Sequence, residues 1–220
     1  MIEVEINQAQ LAEMRERLAH ISNGASTAMM RALNKTSNKA RTEASRDIRA
    51  KVAFTSAYLN EKDASGKRRL SSARDGFEFS AQRNKLISKL SARKRGTRLD
   101  RFATTPAYLG QPVSPIKVKV KTGAGTKSIA SGFWVPARNS GGYLIVVRKE
   151  VLRSLGVTKI LGGSSPYQAL YTSSVHNVFE DTRGDTGDKM GPYFAEKLTA
   201  EMAWLLNKYP PPGSDGSDEE

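Results

Sequence analysis

The chain has 220 residues, 38% of them hydrophobic, no cysteine and a formal net charge of +13. That is enough for one ordinary domain with a modest core, and it excludes thiol nucleophiles, disulfides and cysteine zinc sites. No run of about eighteen apolar residues occurs, so no membrane-spanning helix is expected, and the opening MIEVEINQAQ carries neither the basic nor the apolar region of a secretory leader.

Taken in chain order, Ile2, Val4 and Ile6 alternate with Glu3 and Glu5, which predicts a short strand. Leu11, Met14, Leu18 and Ile21 then recur at helical spacing, and Gly24 is expected to end that helix. A longer helix is expected from Ser26, whose hydroxyl would cap its first turn. Within it Ala28, Ala32, Thr36, Ala40, Ala44 and Ile48 recur every four residues. Small side chains at that step let another element approach closely, so these six form a candidate packing seam, within the subunit or between subunits. Arg31, Lys35, Lys39, Arg41, Arg46 and Arg49 take the other faces. Thr55 or Ser56 is expected to cap a short third helix containing Tyr58 and Leu59.

The charge is concentrated. Ala25 to Thr105 holds 20 Lys and Arg against 7 Asp and Glu, while the rest of the chain balances at 15 of each. A field gathered into one stretch points to a polyanion nearby, most often nucleic acid. Residues 62–105 read as an extended basic arm or linker. Apolar islands such as Phe77, Phe79, Leu86, Ile87 and Leu90 are too sparse to offset an ordering entropy of about 1–2 kcal/mol per residue. A hairpin of Gly76–Ser80 with Lys85–Leu90 would need a partner to become ordered. The candidate contacts to DNA or to an acidic protein partner are Lys67, Arg68, Arg69, Arg83, Lys85, Lys89, Arg93, Lys94, Arg95, Arg98 and Arg101. Aromatics are few there, which favours sequence-blind contact with the phosphate backbone over base stacking.

Past Pro115, Ile116, Val118 and Val120 alternate with Lys117, Lys119 and Lys121, predicting a half-buried strand. Ile129–Val135 and Tyr143–Arg148 read as further strands of an antiparallel meander, with a turn at Asn139–Gly142. The pattern of Pro166–Phe179 fits helix or strand. Tyr193, Leu198, Met202, Leu205 and Leu206 mark a last helix with Trp204 at its edge, Pro192 in its first turn and Pro210–Pro212 as its stop. The expected class is α+β: long N-terminal and C-terminal helices packed on a small antiparallel sheet, with the basic arm. The expected divisions are 1–61, 62–105, 106–209 and a disordered acidic tail, 210–220.

Catalysis finds little support. His20 and His176 have no partner at metal-ligand spacing. The stretch Lys121–Ser128 places Thr126 where a phosphate-binding loop needs glycine, and it joins strand to strand. Glu180, Asp181, Asp185 and Asp188 fail the spacing of a calcium loop and suit the start of the last helix, where its dipole favours acids. No nucleophile–histidine–acid set and no dinucleotide fingerprint assembles, so no enzyme, metal or cofactor is expected.

The run Ala25-Ser-Thr-Ala-Met-Met-Arg-Ala-Leu-Asn-Lys35, continuing through Ala40, Ala44 and Arg46 to Arg49, resembles the N-terminal helix of the minor tail protein Z (tail completion) family of long-tailed phages. The order that follows is also similar: a basic, poorly patterned segment, a small β region with the pair Gly132-Phe133 leading a strand, and a closing helix echoed by Glu196–Leu206. The acidic tail and Pro115–Lys121 depart from that pattern. The resemblance implies a non-catalytic virion protein of the phage tail, assembled in the host cytoplasm as a homo-oligomeric ring, a hexamer. The ring would lie between the tail terminator or tail tube protein and the head–tail connector, near packaged double-stranded DNA. The competing expectation is a free, sequence-nonspecific nucleic-acid-binding protein of nucleoid or ribosomal type.

Overall fold

In the computed structural model the described residues are 8–62, 69–71, 90–107, 115–137, 142–154, 156–157 and 164–212. The strand expected at 1–6, most of the 76–90 hairpin and the tail from 213 lie outside them. The chain begins with helices α1 (Gln8–Arg17), α2 (Gly24–Lys51) and α3 (Ser56–Asn60). Strands β1 (Leu70–Ser71), β2 (Ser91–Ala92) and β3 (Gly96–Arg98) follow, then a 3₁₀ turn at Leu99–Phe102. Next come β4 (Ile116–Val118), β5 (Lys127–Ile129), β6 (Gly132–Pro136), β7 (Tyr143–Arg148) and helix α4 (Lys149–Ser154). The chain continues through β8 (Tyr167–Ala169) and β9 (Tyr171–Ser174) into α5 (Val175–Glu180) and α6 (Arg183–Lys208). The fold class is α+β. Two compact units emerge: Met1–Ser45 with Lys62–Ala92 and Glu180–Glu220, and Arg46–Glu61 with Arg93–Phe179.

The first unit has a helical core. Met14 and Leu18, Ala28, Met29, Ala32 and Leu33 of α2, and Phe194, Leu198 and Leu205 of α6 are all buried in one cluster. Alanines let the backbone of α2 come close to its neighbours. The α1–α2 connection is tight, and α2 starts at Gly24 rather than at Ser26. Asn23 takes the left-handed conformation (φ 56°) that asparagine tolerates, and its carbonyl accepts from Thr27 N at 2.9 Å. A Cβ added at Gly24 would meet Ile21 Cβ at 2.9 Å. The glycine thus opens the second helix instead of closing the first, which ends at Arg17, and the close Ile21 side chain leaves little room there for a Cβ.

The last helix is also longer than expected. It begins at Arg183 and places Pro192 in its interior. Proline there removes one backbone donor, at a cost of about 3 kcal/mol in an isolated helix. Burial on one stripe (Thr186, Met190, Phe194, Leu198, Glu201, Leu205) carries the helix through it. Of the four acids expected at its start, Asp185 stands in the first turn and Asp188 follows it, whereas Glu180 closes α5 and Asp181 lies in the turn between the helices.

The second unit holds most of the strands, and they form separate small sheets rather than one meander. β4 pairs with β5, while β6, β7 and β8 form a three-stranded antiparallel sheet. Ile116 and Val118 are buried and Lys117 is exposed, the alternation read in the sequence. The run Ile129–Val135 is broken by a turn at Ala130-Ser131, where a Cβ on Gly132 would come within 2.9 Å of Ile129 Cγ2. α3 is capped by Thr55, whose Oγ1 accepts from Tyr58 N at 3.1 Å. Pro166–Phe179 resolves into two strands and the start of α5.

The expected arm, 62–105, is not one extended segment. Leu90–Phe102 is folded: β1 pairs with β2, and β3 pairs with β9 about seventy-five residues away. Thr97 and Phe102 are buried, and Tyr58 Oη donates to Thr97 Oγ1 at 3.2 Å. Pairing over such a distance leaves no periodic trace in a local window, because the partner strand supplies the burial.

Candidate polyanion-binding surface

α2 is the longest cationic element. Its 28 residues carry seven Lys and Arg against Glu43 and Asp47. Burial selects one side of it: Ala28, Ala32, Thr36, Ala40, Ala44 and Ile48 are all buried, and the Thr36 hydroxyl is satisfied by donating to the Ala32 carbonyl at 2.9 Å. Arg31, Lys35, Lys39, Arg46 and Arg49 are exposed. At about 100° per residue the three in the first unit, Arg31, Lys35 and Lys39, fall within roughly 80° of arc and along about 12 Å of helix. A helix that buries one side therefore leaves its cations in a row on another.

Several of these cations are positioned by acids. Glu201 of α6 is buried, and its Oε1 lies 2.5 Å from Lys35 Nζ while its Oε2 lies 3.7 Å from Arg31 Nη1. Lys39 Nζ is 3.1 Å from Glu43 Oε1, and Arg46 Nε is 3.7 Å from Asp47 Oδ1. The Arg31 guanidinium also rests 4.3 Å from the centroid of the Trp204 ring. Lys35 is committed to the buried Glu201, whereas the more exposed Arg46–Asp47 pair is of the kind worth about 0–1 kcal/mol, so phosphates in water compete more readily at the latter.

The contacts expected in the arm separate into three sets. Lys67, Arg68, Arg83, Lys85 and Lys89 lie outside the described residues. Lys94 and Arg95 are exposed on the short link between β2 and β3, with Arg93 and Arg69 half-buried; the Arg93 carbonyl accepts from His176 N at 3.1 Å. Arg98 and Arg101 are tied into the second unit. Arg98 Nη2 donates to Asp100 Oδ2 at 3.1 Å, while Arg101 Nη1 lies 3.5 Å from Glu61 Oε2 and its guanidinium 4.7 Å over the Tyr58 ring. These two arginines hold their own loop together, which their charge alone did not indicate.

Glu201 is the functional residue that sequence reasoning missed, although a signal was present. Phe194, Leu198, Glu201 and Leu205 follow at four, three and four residues, so a carboxylate stands where the helical period calls for an apolar side chain. An acid in that position needs a cationic partner, and α2 supplies two. His20 and His176 stay apart, and among the described residues no group of three or more His, Cys, Asp or Glu is placed to hold a metal. No described helix is long and apolar enough to cross a membrane. No family model, no curated protein and no solved structure matches this chain.

Proposed function

We propose that this chain is a non-catalytic structural subunit of a phage tail, completing the head-proximal end as a homo-oligomeric ring, a hexamer. In this reading it sits between the tail terminator or tube protein and the head–tail connector. Its cations face packaged double-stranded DNA. The observation that carries the reading is the pair of stripes on α2 in the first unit: small residues buried along a winding stripe from Ala28 to Ala44, and exposed Arg31, Lys35 and Lys39 in a row beside it. A buried small-residue side supports close helix packing, and an exposed cationic row supports sequence-blind contact with a phosphate backbone. The resemblance of Ala25–Arg49 and Glu196–Leu206 to the tail completion family supplies the particle and the neighbours.

The test reverses Arg93, Lys94 and Arg95 together to Glu, in the full chain, and measures binding to a random-sequence duplex against salt. These side chains are exposed or half-exposed on a link, so the fold should survive. Duplex affinity is expected to fall, and the slope of log K against log salt to flatten by about 0.9 for each phosphate that is no longer neutralised. An unreversed chain with no measurable duplex affinity at low salt, together with reversed chains that fail to join tails, would transfer the charge to docking on an acidic protein.

A further inference from the structure

A cleft of about 400 Å³ opens in the first unit, lined by the α1–α2 turn, the start of α2 and the end of α6. It is within the size range of small-molecule sites, about 300–1,000 Å³. Its lining includes Arg31, Lys208, Trp204 and Tyr209, and among the described residues it contains no carboxylate. The cations are oriented by the aromatic rings: the Arg31 guanidinium stands 4.3 Å from the Trp204 centroid, and Lys208 Nζ stands 5.1 Å from Trp204 and 5.3 Å from Tyr209. Neither cation has its donors used up. Among the described residues Lys208 has no carboxylate within ion-pair distance, and Arg31 reaches only the distant Glu201 oxygen, whose partner oxygen Lys35 already holds.

The rings point to a ligand of mixed character. Trp204 and Tyr209 are 43% and 46% exposed, the two highest values among the large hydrophobics. The cleft rim is itself braced: His20 Nε2 lies 2.8 Å from the Tyr209 carbonyl oxygen, tying the α1–α2 turn to the end of α6. A cleft with two cations, exposed aromatic surface and no acid among the described residues that line it matches an anion that carries a flat ring. Guanidinium planes and indole rings both stack nucleobases, and both cations complement phosphoryl oxygens.

We propose that this cleft is a nucleoside-phosphate site, with the phosphate between Arg31 and Lys208 and the base against Trp204 and Tyr209. The same chemistry is offered by a free mononucleotide and by an unpaired nucleotide of a single strand. A paired base within duplex DNA does not expose its faces, so although Arg31 also belongs to the cationic row of α2, a single strand or a mononucleotide, and Lys208→Gln, distinguish this site from duplex contact.

The test follows the Trp204 indole N–H and the Lys208 amide by NMR in the full isotopically labelled chain. Adenosine monophosphate, inorganic phosphate, a single-stranded oligothymidylate, a blunt duplex and an Asp/Glu-rich peptide are titrated in turn. The nucleotide is expected to give a saturable shift, with inorganic phosphate competing on the order of tenfold more weakly because it lacks the stacked base. Lys208→Gln, which removes an ammonium that pairs with no described carboxylate, should weaken nucleotide binding by about tenfold. A response to the single strand and not the duplex assigns the source as nucleic acid; a response to the mononucleotide alone assigns it as free nucleotide. Equal affinity for phosphate and nucleotide, indifference to Lys208→Gln, or a response to the acidic peptide alone would each overturn the proposal.

Discussion

Replacing Lys35 with methionine leaves the buried Glu201 carboxylate, among the described residues, with only the Arg31 guanidinium, 3.7 Å away, to answer it. The Glu201 side chain is 7% exposed and the Lys35 side chain 55%, so the pair is buried at its acidic end alone. Breaking a wholly buried pair costs about 3–5 kcal/mol, and a hydrogen bond to a charged group contributes about 1.5–3 kcal/mol. Water reaching the lysine end favours the lower range, so a coupling of about 1.5–3 kcal/mol is expected. In a chain of this size that corresponds to a fall in Tm of roughly 3–12 °C for the single variant. The assay is a double-mutant cycle on Lys35→Met and Glu201→Gln by denaturant unfolding, with Glu13 and Arg17 as control. That control pair is close, at 2.8 Å, but both side chains are more than half exposed, and its cycle should return about 0.3–0.5 kcal/mol. If the Lys35–Glu201 coupling is no larger than the control, burial of the carboxylate does not strengthen this pair and the reasoning fails.

Ala40 is buried on the small-residue side of α2, so Ala40→Leu should overpack it and destabilise by about 1–3 kcal/mol; unchanged melting with unchanged oligomer mass would refute the seam. Pro192→Ala restores a backbone donor in the interior of α6 and should raise stability by on the order of 1–3 kcal/mol, read as a higher Tm. Thr55→Ala removes the acceptor for Tyr58 N and should cost about 0.5–2 kcal/mol, measured by equilibrium unfolding.

The tight turn at Gly24 shows why element ends were the least legible feature. A glycine after Ile21 reads as a helix stop, yet α1 already ends at Arg17 and Gly24 is the first residue of α2. Pro192 is similar. Its preference for a first turn is a local rule, and the buried stripe from Thr186 to Leu205 overrides it.

What the sequence determined by itself is what depends on neighbours within a few residues. The every-four spacing of small residues marked the stripe of α2 that is buried, the Ile116–Val118 alternation marked the inward face of β4, and Thr55 was one of two caps offered for α3, of which the structure uses it. The concentration of charge was equally plain, since counting needs no fold. Tertiary structure alone decided which charges are committed. Arg98 and Arg101 belong to the same basic stretch as Lys94 and Arg95, yet Asp100 and Glu61 hold the former while the latter stand in solvent. It also joined β3 to β9, and it set Arg31 and Lys208 against Trp204. Each of these rests on a partner brought in from far along the chain or on a side-chain distance. A linear pattern carries period and composition, but it does not carry which distant group is within a few ångströms.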